Sequence, residues 1–212
     1  AFLNHVDTWE YQTFERLADD LQALREVGLT DVESRLAFAE TVKGKTIDAP
    51  REAWKKVHNE VLAEPRYDGL KLTPQIGLIP LGKDPVTGLQ EFAHLQSGAV
   101  PDRGSDGRLK VEEATGVVLV LVPGGSFMMG AKPPTEEAPL GSPNVDPDAK
   151  KSEGPVHKVQ LKPFFMGKYE ITQGQWLRFT KSNPAAYPPG RTIGGNAHDL
   201  RHPVEQVRWR DV

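Results

Sequence analysis

The sequence contains no cysteine. That removes disulfides, thiolate-ligated zinc, iron–sulfur clusters and any thiol nucleophile from the chain's own chemistry, while leaving its compartment open. No long hydrophobic run is present either. The longest apolar run, Val117–Val122, has the length of a strand and falls far short of the ~20 residues that a membrane span needs. The start shows no basic–apolar–small pattern, so no signal peptide is visible. The chain opens on Ala1 rather than Met and is expected to begin inside a longer gene product. An excess of one charge is also missing: 26 basic residues face 29 acidic ones, for a net charge of −3.

What remains is enough to fold. The 212 residues are 38% hydrophobic and 26% charged, a balance that can bury a core and suits one or two domains. Charge is uneven along the chain: residues 151–212 carry ten basic and five acidic side chains. The basic residues are scattered singly, with no Lys/Arg run to track a phosphate backbone, so nucleic acid is not an expected partner.

The first third reads as three helices. Phe14, Leu17, Ala18, Leu21, Leu24 and Val27 fall at helical spacing on one stripe. Gly28 is read as a C-terminal stop, and Thr30-Asp31-Val32-Glu33 as a capping box opening a second helix. That helix carries Val32, Leu36, Ala39 and Val42 and is expected to break at Gly44. Asp48-Ala49-Pro50 then starts a third helix, whose apolar face is Trp54, Val57, Val61 and Leu62. Helices of this kind need a partner, either each other or sequence upstream.

After Tyr67 the pattern changes to strands and turns. Leu78–Leu81 and Leu89–Leu95 flank Gly82–Gly88, whose Asp-Pro and closing Gly predict a β-hairpin with Pro80 on an edge strand. Val117–Val122 predicts a strand. Phe127, Met128 and Met129 alternate as in a buried sheet. The stretch from Ala131 to Pro155 holds six prolines and predicts a long loop. Strands are expected at Val156–Leu161 and Phe164–Met166, a short helix capped by Thr172, and a final strand over His202–Trp209.

Most motif tests fail. Gly44-Lys45-Thr46 has the ending of a phosphate loop, but Ala39 stands where the first glycine belongs, and a helix rather than a strand precedes it. No dinucleotide fingerprint exists. Ser126 lacks the glycine frame of a nucleophile elbow. His198 and His202 have the spacing of two ligands on one helix face, yet Gly194-Gly195 and Pro203 argue against a helix there. His157 reads as a hydrogen-bonding residue of a strand. Asp146 and Asp148 lack the glycine and terminal glutamate of a calcium loop.

One run of residues resembles a known family. Val122-Pro123-Gly124-Gly125-Ser126-Phe127-Met128-Met129-Gly130 is similar to the opening of the formylglycine-generating, or sulfatase-modifying factor, domain. Four further segments fit in order. They are Glu153–Val159, Phe164–Thr172, Gln175–Phe179 and His202–Asp211, with Arg208 where the family usually has Ser. Tyr67–Leu70, Pro74–Gly82 and Glu91–Leu95 are similar to the segment that precedes such domains in bacterial serine/threonine kinase fusions.

The resemblance implies an α+β chain: N-terminal amphipathic helices, then an incomplete C-type-lectin-like formylglycine-generating-enzyme domain with irregular strands and long loops. The implied division is a helical segment over 1–66, a hairpin-rich connector over 67–116 and the N-terminal part of the domain over 117–212. Relatives oxidise a sulfatase cysteine with copper and oxygen, or form part of iron-dependent sulfoxide synthases. The family's paired cysteines and calcium-binding residues lie in its later half, so no catalytic, cofactor-binding or metal-binding residue is assigned here. The implied function is the front portion of a metal- and oxygen-dependent oxidase acting on a protein cysteine, inactive by itself. Copper or calcium would belong to the full-length domain. The alternative is a non-catalytic sensor module of a kinase fusion, with a protein, a peptide or the fused kinase as partner.

Overall fold

A computed structural model describes residues 5–211. The fold is α+β. Four helices, α1 (His5–Ala23), α2 (Leu29–Lys43), α3 (Arg51–Ala63) and α4 (Gln173–Thr180), combine with antiparallel strands. The strands are β1 (Leu78–Lys83), β2 (Gln90–His94), β3 (Val118–Val122), β4 (Gly125–Met129), β5 (His157–Leu161), β6 (Phe164–Gly167), β7 (Thr192–Ile193) and β8 (Asn196–Ala197). Among the described residues, no helix is long and apolar enough to cross a membrane.

The first two expected helices are one continuous rod. Gly28 and Gly44 keep right-handed helical dihedrals, and the chain passes each through a π turn, Leu24–Gly28 and Gly44–Asp48. Such a turn adds one residue to the spiral without ending it. The expected stops at Gly28 and Gly44 therefore do not occur. The capping box at Thr30 fails for the same reason: the Thr30 hydroxyl donates back to the Glu26 carbonyl at 2.9 Å, which leaves it inside the helix. The rod turns at Pro50, and α3 folds back onto the sheet.

The main sheet has the order β1-β2-β3-β6, all antiparallel. Pro80 lies on the edge strand β1, as expected, where its missing N–H breaks no central ladder. α3 covers one face of this sheet. Trp54, Val57 and Val61 from α3 pack with Tyr67, Leu72, Leu78, Phe92 and Leu121. The Phe92 ring lies 5.5 Å from Trp54 and 5.1 Å, edge-on, from Phe165. Two buried hydrogen bonds fix the aromatic tips. Trp54 Nε1 donates to the Thr46 carbonyl at 2.7 Å, and Tyr67 Oη donates to the Leu121 carbonyl at 2.7 Å. Each satisfies a polar atom whose burial alone would cost free energy.

The opposite sheet face is charged. Glu91, 0% exposed, receives a hydrogen bond from Arg103 at 2.6 Å and another from the Lys168 ammonium. Lys168 also reaches Asp84 at 3.2 Å. Arg103 further donates to the Leu81 and Gly107 carbonyls. Burial alone would push the Lys168 ammonium down, but its bonds to Glu91 and Asp84 hold it above its ordinary value.

Two expectations fail in the second half. β4 pairs with β5 as a separate two-stranded ribbon, and Phe127, Met128 and Met129 are all exposed. Their alternation has no second layer to bury it among the described residues. His202–Trp209 forms no strand. Pro203 makes one bridge with Thr172, Gln206 takes a left-handed conformation, and Trp209 begins a short 3-10 turn. The left-handed residue breaks the extended run before a ladder can form.

The proline-rich stretch is the loop expected, with local order. Asn144, at positive φ, donates from its side-chain amide to the Met128 and Gly130 carbonyls at 3.0 and 2.9 Å. This pins the middle of the loop to the end of β4.

Candidate functional site

The site begins at a helix cap. The Thr172 hydroxyl accepts from the Gln175 N–H at 3.2 Å, and the Gln175 side chain accepts from the Thr172 N–H at 3.0 Å. This reciprocal pair starts α4, as expected for Thr172. The segment around His202-Pro203 is then stitched to the cap. Gln173 N–H donates to the His202 carbonyl, Gly174 N–H to Leu200 and Val204 N–H to Ile171. From the far side of α4, Arg178 donates to the Ser97, Glu113 and Thr115 carbonyls. That loop passes close: a Cβ at Gly98 would lie 2.5 Å from the Ala114 carbonyl oxygen, so only glycine fits there.

Between these segments lies a cleft of about 650 Å³ whose lining includes Lys168, Glu170, Thr172, Asp199, Arg201 and His202. Arg201 grips Asp199 through both Nε and Nη2, at 2.9 and 2.6 Å. The Arg201 guanidinium, through its hydrogen bonds, holds the Asp199 carboxyl down at about 2, with His202 adding to the effect. Asp199 therefore stays ionised through the neutral range and is poorly suited to act as a general acid. The cleft offers fixed charges of both signs along a backbone-rich wall. Its lining forms no nucleophile–base pair among the described residues.

The two histidines singled out by spacing do meet, but not on a helix. The rings of His198 and His202 stack at 4.2 Å, and Tyr187 stacks on His198 at 5.8 Å. The turn after β8 brings them together, with the Asp199 carboxylate 3.2 Å from His202 Nδ1. His157 Nδ1 lies 2.9 Å from the Pro155 carbonyl oxygen, and Asp146 accepts from the Asp148 N–H at 2.9 Å, a local turn. Thr46 of the Gly-Lys-Thr run is fully buried. Its hydroxyl donates to Val42 and accepts from the Gly77 N–H, which makes it a joint between rod and sheet. Ser126 lies in the exposed ribbon.

The buried Lys168–Glu91–Arg103 network and the Asp199–Arg201 clamp escape the sequence reading. A glutamate inside the apolar alternation Glu91-Phe92-Ala93 is the one signal that could have pointed to the first. The clamp rests on a turn with no periodic signature.

A family profile described as "Sulfatase-modifying factor enzyme 1-like domain" matches residues 107–212, half of the chain. The chain belongs to the sulfatase-modifying factor enzyme 1-like domain family. The entire lining of the cleft lies within the matched residues. A formylglycine-generating enzyme of Thermomonospora curvata is similar, 35% identical over 66 residues. That match covers 30% of this chain and 18% of the enzyme's length. No solved structure matches the chain.

Copper and calcium are the ions the family resemblance implies. A copper(I) site favours soft thiolate ligands, and the sequence has no cysteine. Calcium needs several converging oxygen ligands. No group of three or more His, Asp or Glu side chains is placed to hold a metal among the described residues. Among the described residues, the side chains present assemble a site for neither ion.

Proposed function

We propose that this chain is the polypeptide-binding front portion of a sulfatase-modifying-factor domain, C-type-lectin-like in architecture, and performs no oxidation of its own. On this reading residues 1–66 form a helical arm, 67–116 a connector that lends two strands to the sheet, and 117–212 the domain's scaffold. One observation carries the reading: the cleft within the matched residues presents clamped charges and backbone, while the sequence supplies no thiol. An oxidase built on this scaffold would act on a cysteine held in a bound segment, through residues this chain does not contain. A binding-only reading, as the sensor of a kinase fusion, is favoured by the helical rod, which lies outside the matched residues.

Fluorescence anisotropy with a labelled sulfatase-type peptide tests the cleft. Saturable binding that weakens about tenfold in Arg201→Ala, with the fold intact by circular dichroism, supports it. Binding insensitive to Arg201→Ala, or no binding at all, overturns it.

A further inference from the structure

The rod formed by α1 and α2 carries a seam without a partner among the described residues. Phe14, Leu17, Leu21, Leu24, Leu29, Val32, Leu36 and Ala39 follow one another in steps of three and four, with a single step of five. That long step, Leu24 to Leu29, coincides with the π turn Leu24–Gly28. The turn absorbs one extra residue, so Leu29 takes the place that residue 28 would hold in an unbroken helix. The seam is then a continuous heptad stripe of more than three heptads, the length at which a coiled coil becomes a sound reading. Its large members, from Phe14 to Leu36, are each 50–67% exposed.

The flanks say what covers it. One flank carries Asp20 and Arg35; the other carries Arg25 and Glu40. In a parallel, in-register pair of identical helices, each residue of the first flank meets the residue about five positions on in the other copy. Asp20 then faces Arg25, and Arg35 faces Glu40, twice each by symmetry. Val27 against Glu33 is neutral. An antiparallel pair, with Phe14 opposite Ala39, keeps Asp20 against Arg35 but sets Arg25 against its own copy at the two-fold axis. At its C-terminal end the seam opens on a groove of about 570 Å³ whose lining includes Val32, Leu36, Ala39, Ile76 and His94.

We infer that the rod is a dimerisation element: two copies of this chain pair through residues 14–39 as a parallel, in-register coiled coil. The interface is isologous, each copy presenting the same seam to the other. It lies wholly outside residues 107–212, so it holds two domains together without occupying either cleft.

Sedimentation equilibrium of the full chain should show a dimer with micromolar or tighter dissociation, about −8 kcal/mol or more. The double change Leu21→Lys with Leu29→Lys should raise the dissociation constant at least about a hundredfold. The melting of the sheet core, followed through Trp54, should persist in that variant, which separates lost pairing from lost folding. Because the chain has no cysteine, a single Leu17→Cys change reports orientation. It should form a disulfide with its own copy under mild oxidation. Asp20→Arg should weaken the dimer about tenfold, and adding Arg25→Asp should restore it. A monomer at about 100 μM overturns the proposal. So does cross-linking only between Leu17→Cys and Leu36→Cys chains, which signals antiparallel pairing, and so does a charge reversal that the second change fails to rescue.

Discussion

Replacing Lys168 with Met removes the cation at the centre of the buried charge network while keeping much of the side chain's apolar length. In the parent, Glu91 is fully buried and receives Lys168 on one oxygen and Arg103 on the other. Asp84 also contacts Lys168, at 3.2 Å. After the change, Glu91 keeps only Arg103 and one of its oxygens is left without its charged partner. Breaking one member of a buried pair costs about 3–5 kcal/mol. Lys168 is 18% exposed and Arg103 remains, so about 2–4 kcal/mol is expected. For a chain of this size that lowers the melting midpoint by about 5–10 °C. Removing the orphaned charge as well, with Glu91→Gln, should recover part of the loss, because a neutral amide costs less to bury than an unpaired carboxylate. Thermal melting by circular dichroism of the single and double variants is the assay. A Lys168→Met midpoint within a degree of the parent, or a double variant worse than the sum of its two changes, would refute the reasoning.

Further outcomes follow from the same structure. The Thr87 hydroxyl at 2.6 Å, with its N–H and Lys168, holds the Asp84 carboxyl at about 2, below its ordinary 3.8. A depressed carboxylate stabilises the fold above about pH 4, and that contribution is lost as pH falls through 2. Asp84→Asn should therefore remove about 2 kcal/mol of stability at pH 7 and flatten the acid limb of a urea-melting series; an unchanged limb would count against the assignment. Thr172→Ala deletes the hydroxyl half of the α4 cap and should cost about 1 kcal/mol by urea denaturation, whereas a loss below about 0.3 kcal/mol would mean that the stitching to His202–Val204 carries the helix start alone. Limited trypsin digestion should cut first at Lys150 or Lys151, in the exposed proline-rich loop, since Pro133 blocks the bond after Lys132. First cuts inside α1 would show that the rod frays before the loop opens.

Local chemistry was legible wherever one segment decided its own shape. The hairpin of β1 and β2 follows from Asp84-Pro85 and Gly88, and the start of α4 follows from Thr172 and Gln175. Gly28 and Gly44 misled because glycine permits a stop without requiring one. Seen alone, Leu29 falls five residues past Leu24 and out of step with the helical stripe, and only the π turn Leu24–Gly28 reconciles it. The exposure of Phe127 and Met129 was hidden because alternation says that a strand has two faces, not that either is covered. The cleft joins Val111, the segment that follows β6 and the turn around Asp199, which are held together by bonds such as Gln173–His202, Gly174–Leu200 and Val204–Ile171. Periodicity within one element carries no information about such a meeting.

Mass spectrometry of a cysteine-containing sulfatase-type peptide, incubated with the chain, copper and oxygen, tests most directly the claim that this scaffold binds without oxidising. The expected result is an unmodified cysteine, or only the disulfide and sulfenate background of the metal-only control, at peptide concentrations where anisotropy shows the cleft occupied. Multiple turnovers to the formylglycine aldehyde above that control would contradict the account and place an oxidation centre on a chain that has no thiol of its own.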